Sequence, residues 1–223
     1  MIPPAGTTIY LVRHAESQAN VRSVLSNGRS DDAALTARGR GQAERVAAWL
    51  IARGIAHLYY SPLRRATQTA AVIASALTLT PIGMETLREI DVGALDGSGD
   101  RATWDRHDTV IARWFAGEED LAFPGGESLA QARSRGIESL ETIAQRHPGE
   151  RVAVIPHTMI SRIAVARLAP IPGVVVGDRA YHLGHGQVGI LQHDSDGWTR
   201  LAWDVRPRGP TGGRRRRSGA DRM

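Results

Sequence analysis

The sequence contains no cysteine, which excludes a disulfide framework, a cysteine-based zinc site and catalysis by a thiol. It also contains no lysine, so all 28 basic residues are arginines. No stretch approaches the roughly 18 consecutive apolar residues of a membrane-spanning helix. Residues 1–4 lack the basic and apolar regions of a secretory signal. We therefore expect a cytoplasmic protein with no membrane partner.

The excess of positive charge is confined to the end of the chain. The last 18 residues, from Arg206 to Met223, hold seven arginines and one aspartate, whereas residues 1–205 carry a net charge of −1. Runs of like charge mixed with glycine and proline are typical of disordered segments, so we predict a disordered, arginine-rich tail over 206–223. The tail could contact nucleic acid electrostatically, but its composition favours a solvated end. Nucleic acid is therefore not an expected partner of the folded part.

Strand-like and helix-like patterns alternate along the rest of the chain. Short apolar runs predict strands at 9–12, 58–60, 152–155, 188–192 and 198–203. Apolar residues at helical spacing predict helices at 42–53, 64–77, 127–146 and 159–168. This alternation is typical of an α/β fold in which a mainly parallel sheet lies between two helical layers.

A charged segment interrupts this alternation. Residues 94–124 are rich in charge and also contain Trp104, Trp114 and Phe115, so we interpret them as a small helical cap inserted into the domain. The chain is then one α/β domain over 1–205 followed by the tail.

An Arg-His pair follows the first predicted strand directly, as Arg13-His14. Ligands of open α/β sheets bind beyond the carboxyl ends of the strands, so this pair is well placed for binding. The dipeptide alone is weak evidence, because Arg106-His107 and Arg146-His147 also occur and no strand precedes them. Its context makes it informative.

Six segments in a fixed order supply that context: 13–20 (RHAESQAN), 35–43 (LTARGRGQA), 61–70 (SPLRRATQTA), 87–93 (LREIDVG), 124–128 (PGGES) and 154–157 (VIPH). Together they resemble the histidine phosphatase superfamily, the phosphoglycerate-mutase-like phosphatases, from residue 9 to residue 203. The resemblance implies a three-layer αβα fold of the phosphoglycerate-mutase type. It departs from the usual pattern at Ala15 and Thr158, where glycine is common.

The resemblance also implies a role for each matching residue. His14 would be the nucleophile that forms a phosphohistidine, and Glu89 the general acid and base. Arg13, Arg65 and His157 would bind the phosphoryl oxygens, which guanidinium forks match bidentately. Arg65 matches the family position better than Arg64, which we interpret as a surface residue.

Three further expectations concern neighbouring motifs. Asn20 would contact the phosphate by analogy, although a turn residue is an equally good reading. Glu127-Ser128 is better read as the start of a helix than as a substrate contact. His182 and His185 lack a third ligand at suitable spacing, so we predict no metal site and no cofactor, with arginine and histidine supplying the positive charge.

The leading hypothesis is therefore a metal-independent phosphomonoesterase that acts on a small phosphorylated metabolite. One alternative is a cofactor-dependent phosphoglycerate mutase, which uses the same site but returns the phosphoryl group to a second hydroxyl; residues 87–93 resemble the phosphatase form instead. The other alternative is a non-catalytic module that binds a phospho-ligand, or nucleic acid through the tail. The sequence leaves the substrate and the oligomeric state open.

Overall fold

A six-stranded sheet forms the centre of the protein, as seen in a computed structural model that describes residues 6–27 and 33–208. The strands are β1 (Thr7–Val12), β2 (His57–Tyr60), β3 (Ile82–Gly83), β4 (Arg151–Ile155), β5 (Val188–Asp194) and β6 (Gly197–Val205). The helices are α1 (Gln18–Arg22), α2 (Ala37–Ile51), α3 (Arg64–Leu77), α4 (Arg101–Phe115), α5 (Leu129–Arg146) and α6 (Thr158–Leu168).

The strand order is β3-β2-β4-β1-β5-β6. The pairs β3/β2, β2/β4 and β4/β1 are parallel, whereas β5 runs antiparallel to both β1 and β6. The predicted α/β fold with a mainly parallel sheet is confirmed. The hairpin of the last two strands supplies the antiparallel edge.

Alternate residues of the strands face two separate cores, because successive side chains of a strand point to opposite faces of the sheet. On one face Tyr10 and Val12 pack with α2 and α3. On the other face Ile9 and Leu11 pack with α5 and α6. The sheet is therefore covered on both sides, and a ligand is expected at the edge where the parallel strands end.

Helices α3, α5 and α6 agree with the predictions to within two residues at each end, and α2 ends two residues earlier than predicted, at Ile51. Helix α3 begins and ends as predicted, whereas α2 begins five residues earlier because the Thr36 hydroxyl accepts a hydrogen bond from the amide of Gly39. At the start of α5, Ser128 and Gln131 form a reciprocal capping box. Ser128 therefore opens a helix, as expected.

Residues 94–124 contain helix α4, which carries the buried Trp114. The Trp114 ring meets the Phe123 ring edge to face, with centroids 5.1 Å apart. Both belong to an apolar cluster with Ile160 and Ile163 of α6. The interpretation of this segment as an inserted cap stays a prediction, and so do the domain limits. Most of the predicted tail, residues 209–223, lies outside the described part of the chain.

Two short elements were not predicted, helix α1 with five residues and strand β3 with two. Elements of this length hold little more than one repeat of a helical or strand pattern, which is too little for the pattern to be recognised. No helix in the described ranges is long and apolar enough to cross a membrane.

Candidate active site

Four of the predicted site residues lie at the edge of the sheet where the parallel strands end. Arg13 and His14 directly follow β1, and His157 lies two residues beyond its parallel neighbour β4. Arg65 lies in the first turn of α3, which follows β2. Parallel strands bring their carboxyl ends to one edge, so residues distant in sequence meet there.

The His14 imidazole is held at both ring nitrogens. Its Nδ1 lies 2.8 Å from the carbonyl oxygen of Ala15, and Arg65 Nε donates a hydrogen bond to its Nε2 at 3.2 Å. A carbonyl only accepts and a guanidinium only donates, so the hydrogen of the neutral ring lies on Nδ1 and the lone pair on Nε2. Ala15 does not adopt a positive φ, so alanine fits the position where the family commonly has glycine.

His14 is neutral at physiological pH. Its side chain is buried, and burial lowers the pKa of His14 well below its usual value. The positive charges of Arg65 and Arg13 lower it further. A neutral imidazole with a lone pair on Nε2 is the form that can attack phosphorus.

His157 faces His14 across the site, with ring centroids 5.0 Å apart. Its Nε2 lies 2.7 Å from the Ser61 hydroxyl. Its Nδ1 is buried and has no hydrogen-bond partner within residues 6–27 and 33–208. Burial and the charge of Arg65 lower the pKa of His157 as well. A buried polar atom that no described group satisfies is available to a ligand.

The Arg13 guanidinium is fixed by residues that precede β5. Nη1 donates to the Leu183 carbonyl at 2.7 Å and lies 3.2 Å from His182 Nε2. Nη2 lies 2.9 Å from His185 Nε2. Burial lowers the pKa of Arg13 to about 10, so the guanidinium stays charged at neutral pH.

His182 and His185 contact the predicted site residue Arg13, whereas the sequence analysis considered them only as metal ligands. Burial, followed by the charge of Arg13, lowers the pKa of His185 to about 3. Its ring also lies 5.7 Å from that of His14. Their position just before a predicted strand was the one signal in the sequence that could have placed them at the site. That strand, β5, is antiparallel to β1 and begins at Val188, opposite Val12, so the residues before it lie near Arg13.

Glu89 is buried at the amino end of α6. Its Oε1 accepts hydrogen bonds from the amides of Ile90 and Ile160, at 3.0 and 2.9 Å, and its Oε2 accepts one from the amide of Met159 at 3.0 Å. Glu89 therefore caps a helix whose N-cap residue, His157, makes no side-chain capping bond. The charge of Glu89 raises the pKa of Arg13 against the effect of burial, so the two side chains interact electrostatically.

Asn20 lies in helix α1, and its side-chain oxygen accepts hydrogen bonds at the start of that helix. Asn20 Oδ1 accepts hydrogen bonds from the Ser17 amide at 3.0 Å and the Ser17 hydroxyl at 2.9 Å, as part of a capping box. Asn20 therefore lies in a helix and not in the turn that the sequence analysis offered as its alternative, and its contact with phosphate stays a prediction. Of the two adjacent arginines, Arg65 is buried and Arg64 is exposed, as the sequence analysis expected.

A separate group of potential metal ligands lies at the opposite edge of the sheet. His57 Nε2 and His147 Nδ1 lie 3.0 and 2.9 Å from the same Glu150 oxygen, and the two rings stack with centroids 3.8 Å apart. His147 Nε2 lies 2.9 Å from the Tyr59 hydroxyl. Hydrogen bonds among these groups account for their proximity.

Comparisons with known proteins agree on the family. The sequence matches the family model of the histidine phosphatase superfamily (branch 1) over residues 9–206. It is similar to a probable phosphoglycerate mutase GpmB from Enterobacter sp. (strain 638), with 29% identity over 197 residues, 88% of this chain and 90% of that protein.

The fold of this chain is similar to the folds of solved structures. YhfR of Bacillus stearothermophilus superposes with a TM-score of 0.77 at 26% identity, covering 89% of this chain and 97% of that one. A mycobacterial glucosyl-3-phosphoglycerate phosphatase gives a TM-score of 0.74 at 22% identity, covering 90% and 99%. At that identity the likeness concerns the fold alone.

Proposed function

Because the chain belongs to the histidine phosphatase superfamily, we propose that it hydrolyses a small phosphomonoester through a phosphohistidine on His14. The observation that carries the proposal is the His14 ring, which is neutral, buried and oriented with its Nε2 lone pair toward Arg65. An imidazole in this state is a nucleophile, and the guanidinium beside it matches the charge and shape of a phosphoryl group.

In the first step Nε2 of His14 attacks phosphorus, the N–P bond forms and the bond from phosphorus to the ester oxygen breaks. Positive charge develops on the ring, and the Ala15 carbonyl that accepts the Nδ1 hydrogen stabilises it. Arg13, Arg65 and His157 surround the phosphoryl oxygens. The two guanidinium groups supply the positive charge that Mg²⁺ supplies in many phosphoryl-transfer enzymes, so we propose a reaction without a metal.

Glu89 protonates the departing ester oxygen. Two amides donate to Glu89 Oε1 and one to Oε2, so Oε2 is the oxygen with room for a proton. In the second step water attacks phosphorus and gives its proton to Glu89. The N–P bond then breaks, its electron pair returns to Nε2, and orthophosphate leaves.

Rapid chemical quench tests the covalent step. After a few milliseconds with ³²P-labelled p-nitrophenyl phosphate, the wild-type chain should carry acid-labile, base-stable label, and the His14→Ala variant should carry none. The His193→Ala variant is the matched control, because His193 lies on β5 opposite Thr7, at the far end of β1. Label on His14→Ala, or turnover of that variant within tenfold of wild type, would exclude His14 as the nucleophile.

Treatment with EDTA tests the role of metal. The hydrolysis rate should stay unchanged after chelation and dialysis. A loss of activity that added Mg²⁺ or Zn²⁺ restores would contradict the metal-independent mechanism.

A phosphoglycerate mutase is the second candidate, favoured by the name of the curated relative GpmB. It would use the same His14 but transfer the phosphoryl group to a hydroxyl of a sugar acid instead of to water. A coupled assay with 3-phosphoglycerate and its bisphosphate primer separates the two. Primer-dependent isomerisation faster than hydrolysis would overturn the phosphatase proposal.

The arginine-rich tail has no part in the proposed chemistry. A chain ending at Arg206 should hydrolyse p-nitrophenyl phosphate at the rate of the full chain. Absence of activity in both folded chains would favour a non-catalytic module that binds a phospho-ligand or, through the tail, nucleic acid.

A further inference from the structure

Two histidines and a carbonyl hold the guanidinium of Arg13 from one side. Nη1 of Arg13 donates to the Leu183 carbonyl at 2.7 Å and contacts His182 Nε2 at 3.2 Å, while Nη2 contacts His185 Nε2 at 2.9 Å. A guanidinium never accepts, so each imidazole nitrogen is the acceptor and each ring carries its hydrogen on Nδ1. This arrangement requires both rings to be neutral.

The contacts use a defined part of the guanidinium. Of its five N–H hydrogens, the two on Nη1 and one on Nη2 have acceptors in these three residues. Arg13 Nε is buried and has no hydrogen-bond partner in the described part of the chain. The hydrogen on Nε and the second one on Nη2 therefore form the edge left for two oxygens of a ligand.

We propose that His185, together with His182 and the Leu183 carbonyl, is a positioning residue that fixes the Arg13 guanidinium with this edge toward the phosphoryl group. The proposal rests on the function proposed above. An unsupported arginine side chain samples many rotamers, so a fixed one loses less entropy when phosphate binds. His185 acts through Arg13 and does not itself need to touch the substrate.

His185 suits this role better than a charged or flexible residue. Burial and the charge of Arg13 lower its pKa to about 3, so the ring is neutral and able to accept a hydrogen bond at neutral pH. The ring is half-buried, it contacts Arg13 Nη2, and its centroid lies 5.7 Å from that of the His14 ring. His182 is exposed and its contact with Nη1 is longer, so we expect it to contribute less.

Orthophosphate binding to the full chain, measured by titration calorimetry, tests the proposal without turnover. The His185→Leu variant removes the acceptor and should weaken orthophosphate binding by about tenfold, the loss expected for one charge-assisted hydrogen bond. The His185→Gln variant places a carbonyl oxygen near the position of Nε2 and should bind within about threefold of wild type. The His193→Leu variant is the control for removing a histidine elsewhere on the sheet.

A second pair of variants covers the case in which His185→Leu does not fold. The His185→Asn variant is polar but too short to reach Nη2, so it should bind like the leucine variant, and rescue by glutamine over asparagine would support positioning. Orthophosphate binding by His185→Leu within twofold of wild type, or glutamine no better than asparagine in folded proteins, would overturn it.

The same measurements keep the two proposals apart. Wild-type chain that binds orthophosphate in a His185-dependent way but hydrolyses no phosphomonoester would refute the proposed function and support the positioning role. Turnover that depends on His14, together with orthophosphate affinity that does not change when His185 is replaced, would refute the positioning role and leave the proposed function standing.

Discussion

The hydroxyl of Thr69 joins the loop that carries His14 to the helix that carries Arg65. It donates a hydrogen bond to the Arg65 carbonyl at 2.7 Å and accepts one from the Ala15 amide at 3.1 Å. Thr69 and Ala15 are both fully buried. Replacing Thr69→Val removes the hydroxyl and keeps the shape of the side chain.

The expected cost follows from what is left unpaired. The Ala15 amide becomes a buried donor without an acceptor, which destabilises a protein by about 1–3 kcal/mol. The Arg65 carbonyl loses the hydrogen bond from the Thr69 hydroxyl at little cost, because it lies in α3 and still accepts a backbone hydrogen bond within the helix. For a chain of this size each kcal/mol lowers the melting temperature by about 2–4 °C.

Urea unfolding followed by circular dichroism measures the change, and hydrolysis of p-nitrophenyl phosphate measures its effect on the site. Because Ala15 is adjacent to His14, Thr69→Val should also lower kcat by about tenfold through misplacement of the nucleophile. The Thr69→Ser variant keeps the hydroxyl and loses only one methyl group, worth about 0.8 kcal/mol, so its activity should be near wild type. A valine variant within about 0.5 kcal/mol of wild type in unfolding free energy, with unchanged kcat, would refute the reasoning.

Three other predictions test separate features. Glu89→Gln should slow alkyl phosphates by about 10²–10⁴ but p-nitrophenyl phosphate much less, because a good leaving group needs no proton; equal losses would remove Glu89 as the acid. Burial holds the pKa of His14 and of His157 well below 6.5 in the folded chain. Below pH 6.5 the unfolded chain therefore binds more protons than the folded chain, and the unfolding free energy should fall by up to about 1.4 kcal/mol per pH unit for each histidine. Urea titrations at pH 7 and pH 5 measure this fall, His157→Gln should lessen it, and a slope unchanged by that variant would contradict the assignment. Gly93→Ala should destabilise the fold by at least about 1–2 kcal/mol in the same assay, because φ is +57° and the added Cβ would lie 2.1 Å from a carbonyl oxygen; wild-type stability would show that this backbone conformation is not required.

Much of the fold was predictable because its signals are local. Helix α3 was predicted from first to last residue, since its apolar spacing lies within the helix itself. The start of α2 was missed by five residues, because Thr36 caps a polar first turn that carries no apolar pattern. Strand β3 has two residues and is defined only by its partner β2.

The candidate site was predictable to the extent that single residues carry its chemistry. Arg13, His14, Arg65 and His157 were identified from their motifs, and they lie together at the sheet edge. The contacts of Glu89 were not foreseen, since it bonds to amides of α6 about 70 positions away, and nothing near Glu89 in the sequence encodes that helix end.

The sequence by itself determined the alternation of elements, the family and the candidate residues for holding and attacking a phosphoryl group, because each of these depends on residue type and on spacing over a few positions. Tertiary structure decided which groups orient those residues. His185 lies beside Arg13 because β5 runs antiparallel to β1, and the hydrogen bond between the two side chains joins residues 172 positions apart. Such contacts depend on strand order and direction, which are set by packing across the whole sheet.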